Sequence, residues 1–225
     1  MESDRIQELC AFGQEQLSRM EYLGAEKTLA AAEELAWGIR DWDSLGRLYM
    51  PLQESRRQRR QRCGEGTIRL DFIASGPTER LNGREIVQTV RQGQILIAGW
   101  GSIQPAVEAR RAQKELGLYV DVFLAAAYPT DQGRMVVIVP GDDAMLPATP
   151  NRIEMSDVEL AGVKTYEGVM EIWERLHGPF LSLADGASDP VARMEAYRKT
   201  IGVDYACELA HQKLADVARG LCVKA

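Results

Sequence analysis

Histidine is nearly absent from this chain: His177 and His211 are the two in 225 residues. Cysteine is almost as scarce, and Cys10, Cys63, Cys207 and Cys222 lie far apart with no C-x-x-C spacing. So few ligands, so widely spread, exclude a zinc site assembled from a local motif. The cysteines read as reduced thiols, since nothing in their placement requires a disulfide. Neither histidine has a serine or cysteine at a motif spacing, so no nucleophile–base pair is written locally. His177 reads as a helix-end residue suited to the helix dipole, and His211 as a mid-helix position among polar neighbours.

Long apolar runs are also missing. ILIAGW, VFLAAAY and MVVIV fall far short of the ~20 residues a membrane-spanning helix needs. The opening MESDRIQELCAFGQEQL has neither the basic stretch nor the apolar stretch of a secretory signal. A basic excess is absent as well, because the formal net charge is −6. Proteins that coat nucleic acid or anionic membranes need a positive surface, so neither partner is expected. These absences point to a cytoplasmic chain without a membrane segment.

What is present suits a packed protein: 45% hydrophobic and 27% charged residues are enough for a core and argue against wholesale disorder. Residues 4–62 read as helix almost throughout, with Leu9, Phe12, Leu17 and Met20 at helical spacing. A break is expected at Leu23-Gly24, before an apolar stripe of Ala25, Leu29, Ala32 and Leu35. Asp41 or Asp43 then caps a third helix, and Pro51 within it predicts a kink or a break.

Residues 67–140 change character. TIRLDFIA, QILIAGW, LYVDVFLAAAY and GRMVVIVP read as strands, and helices fall in the first two intervals. The fold class is therefore α/β, a mixed sheet with parallel βαβ crossovers and a terminal hairpin, preceded by an all-α helical hairpin region. One more short strand is expected within 141–165, then a helix, the loop PFLSLADGASD and two closing helices. Asp189-Pro190 starts the first of these. Leu209, Leu214 and Val217 are expected to face inward on the second. The expected division is a helical hairpin region, 1–64, and an α/β domain, 65–225, whose last two helices cover the sheet or dock on the first helices.

Trp42, Leu45, Gly46 and Tyr49 spell W-x-x-L-G-x-x-Y, and Ala25, Leu29 and Ala32 precede them at the spacing of a second hairpin helix. On these residues, 5–50 resembles tetratricopeptide-type helical hairpins, in which the small residue lets two helices approach closely. The segment after Tyr49 departs from that pattern, having arginines where the second helix should carry its Ala and Phe core. The resemblance implies a protein-interaction or scaffold module, binding a protein partner or a second copy through the N-terminal helices.

Trp42, Tyr49, Arg56, Arg57, Arg59 and Arg60 are the expected anchors and rim of that surface. The arginines, with Arg62, also offset a local charge of −6 over residues 1–54, eleven acidic against five basic side chains. No aromatic residue accompanies them to stack on bases, which disfavours nucleic acid.

A second reading makes the chain a small enzyme or ligand-binding protein for an anionic, phosphorylated metabolite. Its site is Ser75, Gly76 and Thr78 with Gly99, Gly101 and Ser102, two Gly- and Ser-rich loops leaving parallel strands at one sheet edge. The glycines lack a complete phosphate-binding pattern, so tight turning alone also accounts for them. Asp142 and Asp143 could hold Mg²⁺ but read as turn chemistry. No metal or cofactor is assigned, and whether the chain is an enzyme stays open.

Overall fold

The structure, a computed structural model, describes residues 2–131, 133–141 and 151–223. Three helices come first: α1 (Glu2–Ser18), α2 (Tyr22–Gly38) and α3 (Trp42–Gly64). The strands and their crossovers follow as β1 (Thr67–Ile73), α4 (Gly83–Val90), β2 (Gln92–Trp100), α5 (Gln104–Leu116), β3 (Tyr119–Thr130) and β4 (Gly133–Val139). The chain then forms β5 (Ile153–Ser156), α6 (Asp157–Gly162), α7 (Tyr166–Gly186), α8 (Pro190–Val203) and α9 (Glu208–Cys222). It divides into two compact units, residues 1–59 with 177–225, and residues 60–176.

The sheet has the expected mixed form, in the order β1-β2-β3-β4-β5. β1, β2 and β3 run parallel, joined by α4 and α5, while β4 and β5 add antiparallel. β2 and β3 are buried on both faces, which explains their near-continuous apolar runs. Ile95, Ile97, Val122 and Leu124 form the core with Val87, Ala106 and Ala109 of the crossover helices. Gly117 stops α5 in the left-handed conformation (φ 62°), and Asn82 caps α4 through the Glu85 N–H.

The helical unit draws on both ends of the chain. Ile6, Leu29, Leu45, Tyr49, Tyr197 and Leu214 belong to one buried cluster, so α8 and α9 pack with the first helices. A Cβ on Gly13 of α1 would lie 2.6 Å from the Leu29 Cγ of α2, so only glycine permits that approach. Gly46 of α3 plays a similar part toward α9: its Cβ would stand 3.0 Å from Arg219 Cγ and 3.8 Å from the Ala215 carbonyl oxygen.

Four local expectations are corrected. The first break comes at residues 19–21, where Met20 has φ 61°, and Gly24 lies inside α2 against the Gln16 side chain. α3 is unbroken through Pro51 because Leu48, Tyr49 and Leu52 are held in the core on either side. α7 likewise runs through Pro179 and absorbs most of the expected loop, with Leu181 and Ala184 packed against the helical core. On α9 the inner face is Ala210, Leu214, Ala215 and Ala218, with Val217 packed beside them, whereas Leu209 is 45% exposed. Asp41 and Asp189 do cap their helices, accepting from the Ser44 and Ala192 N–H groups.

Candidate functional site

The arginine stretch is mostly internal. In the helical unit Arg56 and Arg59 of α3 converge on Glu26 of α2, at 3.4 and 2.8 Å, with all three side chains largely buried. Burial alone would raise the Glu26 carboxyl, but Arg59 and then Arg56 outweigh it and hold it below the usual range. Arg59 also stacks 4.0 Å from the Tyr205 ring centroid. In the sheet unit Arg60 pairs with Asp121 of β3 at 2.7 Å and lies over the Trp173 ring. Gln94 donates to the same carboxylate at 2.8 Å, and the Trp173 indole N–H donates to Gln94 at 3.3 Å. Arg57 and Arg62 are exposed and pair with Glu54 and Glu65.

Tyr49 is buried as well. Its hydroxyl accepts from the Trp37 indole (2.8 Å) and donates to Glu33 (3.1 Å). Trp42 is half-buried, edge-on to Trp37. Of the expected anchors and rim, Tyr49, Arg56, Arg59 and Arg60 therefore hold the fold together, and Arg57 faces water. The arginine pattern revealed the charge but not its destination, because Glu26 and Asp121 are not marked as partners by spacing.

The two strand-end loops do leave β1 and β2 at the same sheet edge, since the strands pair in parallel from Thr67↔Gly93 to Ile73↔Ala98. Four of their donors are engaged within the chain. The Gly101 N–H donates to the Ala127 carbonyl at 2.9 Å and the Ser102 N–H to that of Gly99 at 3.4 Å. The Ser102 hydroxyl accepts from the Gln104 N–H. Ser75 gives both its N–H and its hydroxyl to the Glu79 carboxylate, which these bonds hold below its usual range. Gly76 and Thr78 make the surrounding turn, and Thr78 is exposed. Gly99 is required sterically, because a Cβ there would stand 2.7 Å from the Ser102 carbonyl oxygen. Asp142 and Asp143 lie outside the described residues. Among the described residues no group of three or more His, Cys, Asp or Glu is placed to hold a metal ion.

Two other features emerge. A groove of about 390 Å³ runs between α1 and α3 of the helical unit, lined by Gln7, Cys10, Ala11, Gln14, Ser44, Arg47 and Leu48. Gln7, Ala11, Gln14 and Arg47 are exposed on it. The two histidines are the other feature. His211 is fully buried; its Nδ1 meets the Cys207 carbonyl (2.8 Å), so Nδ1 bears the proton and Nε2 accepts from Arg56 (2.9 Å). Burial, reinforced by Arg56, pushes its pKa down to about 3.

His177 is half-buried, and its Nδ1 lies 2.9 Å from the Asp204 carboxylate. Burial would lower this imidazole, but the bond to Asp204 prevails and helps push its pKa up to about 10. The sequence held no signal for this pair, since twenty-seven positions separate His177 from Asp204, the residue that ends α8. All four cysteines are free thiols.

No known family model, curated protein or solved structure matches the chain. Among the described residues no helix is long and apolar enough to cross a membrane.

Proposed function

We propose that this chain is a non-enzymatic protein-interaction module whose helical unit works as tetratricopeptide-like hairpins do. The observation that carries the reading is the open groove between α1 and α3, the two helices that bear the hairpin-type glycines Gly13 and Gly46. α1 pairs with α2, and α9 takes the place beside α3 that a following helix would fill. The arginines after Tyr49 are then free for internal ion pairing, which accounts for their departure from the repeat pattern.

The occupant that suits the groove is an extended peptide from a protein partner. Gln7 and Gln14 present carboxamides, each a donor and an acceptor, which match a peptide backbone. Ala11 leaves room for a side chain, and Arg47, paired with Asp43 on its own helix, stands at the rim. The strand-end loops are less suited to an anionic metabolite, because the Ser75, Gly101 and Ser102 N–H groups already donate inside the chain and the Glu79 carboxylate lies on Ser75.

Selection of a random peptide library on the full chain tests the reading. Enriched peptides should bind in fluorescence polarisation, and Ala11→Arg, which fills the groove from an exposed position, should weaken them at least about tenfold, ~1.4 kcal/mol. Val158→Arg on α6, itself 82% exposed, should leave binding unchanged. No enrichment, or binding indifferent to Ala11→Arg, overturns it.

A further inference from the structure

We propose that the cavity between α8 and α9 of the helical unit is a binding site for a small organic acid, a molecule with one carboxylate and an apolar body. The cavity holds about 510 Å³, an ordinary size for a small-molecule site, and the end of α7 closes one side of it. Pro190, Arg193 and Tyr197 reach it at helical spacing from one face of α8. Lys213, Val217, Gly220 and Leu221 do the same from α9.

The charges that line it do not balance. Asp185 of α7 is satisfied, accepting from Lys213 at 3.0 Å and from the hydroxyl of the buried Tyr197. Asp216 pairs with Arg219 at 2.9 Å. Arg193 has no carboxylate partner among the described residues. Its Nε donates to the Ala187 main-chain carbonyl at 2.8 Å, which fixes the guanidinium and leaves both terminal nitrogens free to donate. A half-buried cation held in this way, in a cavity that Lys213 lines as well, calls for an anion. Two terminal N–H groups in one plane match the two oxygens of a carboxylate.

The rest of the wall decides the kind of anion. Pro190, Val217 and Leu221 are apolar and only partly buried, so an apolar body has surface to cover there. Gly220 keeps that wall open, since a Cβ on it would meet nothing within 4 Å. Inorganic phosphate would leave the apolar wall wet, and an uncharged alcohol would leave Arg193 unpaired. A monocarboxylate with an aliphatic chain answers both. The cavity shares no residue with the α1–α3 groove, so peptide binding there neither requires nor excludes it.

The test is calorimetric titration of the full chain with sodium octanoate, set against octanol and inorganic phosphate, with amide NMR shifts locating the contact. Octanoate is expected to bind saturably and to shift residues 190–197 and 213–221, while octanol and phosphate bind at least about tenfold more weakly. Arg193→Gln, which keeps a donor but loses the cation, should weaken octanoate about tenfold or more. Gly220→Leu fills the cavity from an exposed helical position where leucine is the better helix former. It should weaken octanoate as much, and it serves where Arg193→Gln does not fold. No saturable binding of octanoate, equal binding of octanol or phosphate, shifts centred elsewhere, or an affinity unchanged in either folded variant overturns the proposal.

Discussion

The Nε of Arg60 lies 2.7 Å from the Asp121 carboxylate, with the two side chains 3% and 1% exposed. A pair this deep has surrendered its hydration, and the carboxylate is completed by Gln94 while the cation rests on Trp173. Removing one partner leaves the other charge buried. Arg60→Met and Asp121→Leu should each cost about 3–5 kcal/mol in urea unfolding, whereas the double variant should cost markedly less than their sum. Additive losses would mean that the two charges do not depend on each other.

The glycines at the helix contacts give a graded expectation. Gly13→Ala gains up to ~1 kcal/mol of helix propensity but drives a methyl into Leu29, so a net loss of about 1–2 kcal/mol is expected. Gly46→Ala presses on the Arg219 side chain at 3.0 Å, with the α9 backbone at ordinary contact distance, and should be close to neutral. Gly46→Leu reaches the α9 backbone and should cost about 2–3 kcal/mol. Equal effects of Ala and Leu at position 46 would remove α9 from beside α3.

The histidines set opposite pH limbs. The folded pKa of His211, about 3, lies below its unfolded value of 6.5, so the unfolded chain takes up the proton first as pH falls. Its contribution is present above 6.5 and is lost between 6.5 and about 3. His177 has a folded pKa of about 10, so its contribution is full below 6.5 and is lost as pH rises toward 10. Urea midpoints against pH should show the acid limb flattened by His211→Gln and the alkaline limb by His177→Gln. The clearest acid reading lies above pH 4.5, before Glu26 and the other stabilised carboxylates protonate. Limbs unchanged in both variants would contradict these assignments.

Strands, crossovers and hairpin were legible because alternation, buried runs and turn residues are local. Asp41, Gly117 and Asp189 marked their helix ends for the same reason. The arginines misdirected the eye, since a run of charge looks solvated until its acidic partners fold over it. Glu26 is thirty positions from Arg56, and Asp121 sixty-one from Arg60. Pro51 and Pro179 were read by propensity alone, and packing of their neighbours overrides that cost. The pairing of His177 with Asp204 depends on how α8 ends and so had no signature in spacing.

The helical unit depends on both ends of the chain. Deleting residues 204–225 removes Leu214, Ala215 and Ala218 from the cluster that holds Leu45 and Tyr49. Amide protection in α1 to α3 should then collapse in hydrogen exchange. Protection retained at its full-length level would show that the first three helices stand alone.

The central claim, that the α1–α3 groove receives an extended peptide, is tested most directly by hydrogen exchange of the full chain with and without a selected peptide. The account predicts slowed exchange in residues 7–14 and 44–48, with α6 and the strand-end loops unchanged. Protection centred on residues 75–78 or 99–102, with none at the groove, would contradict it.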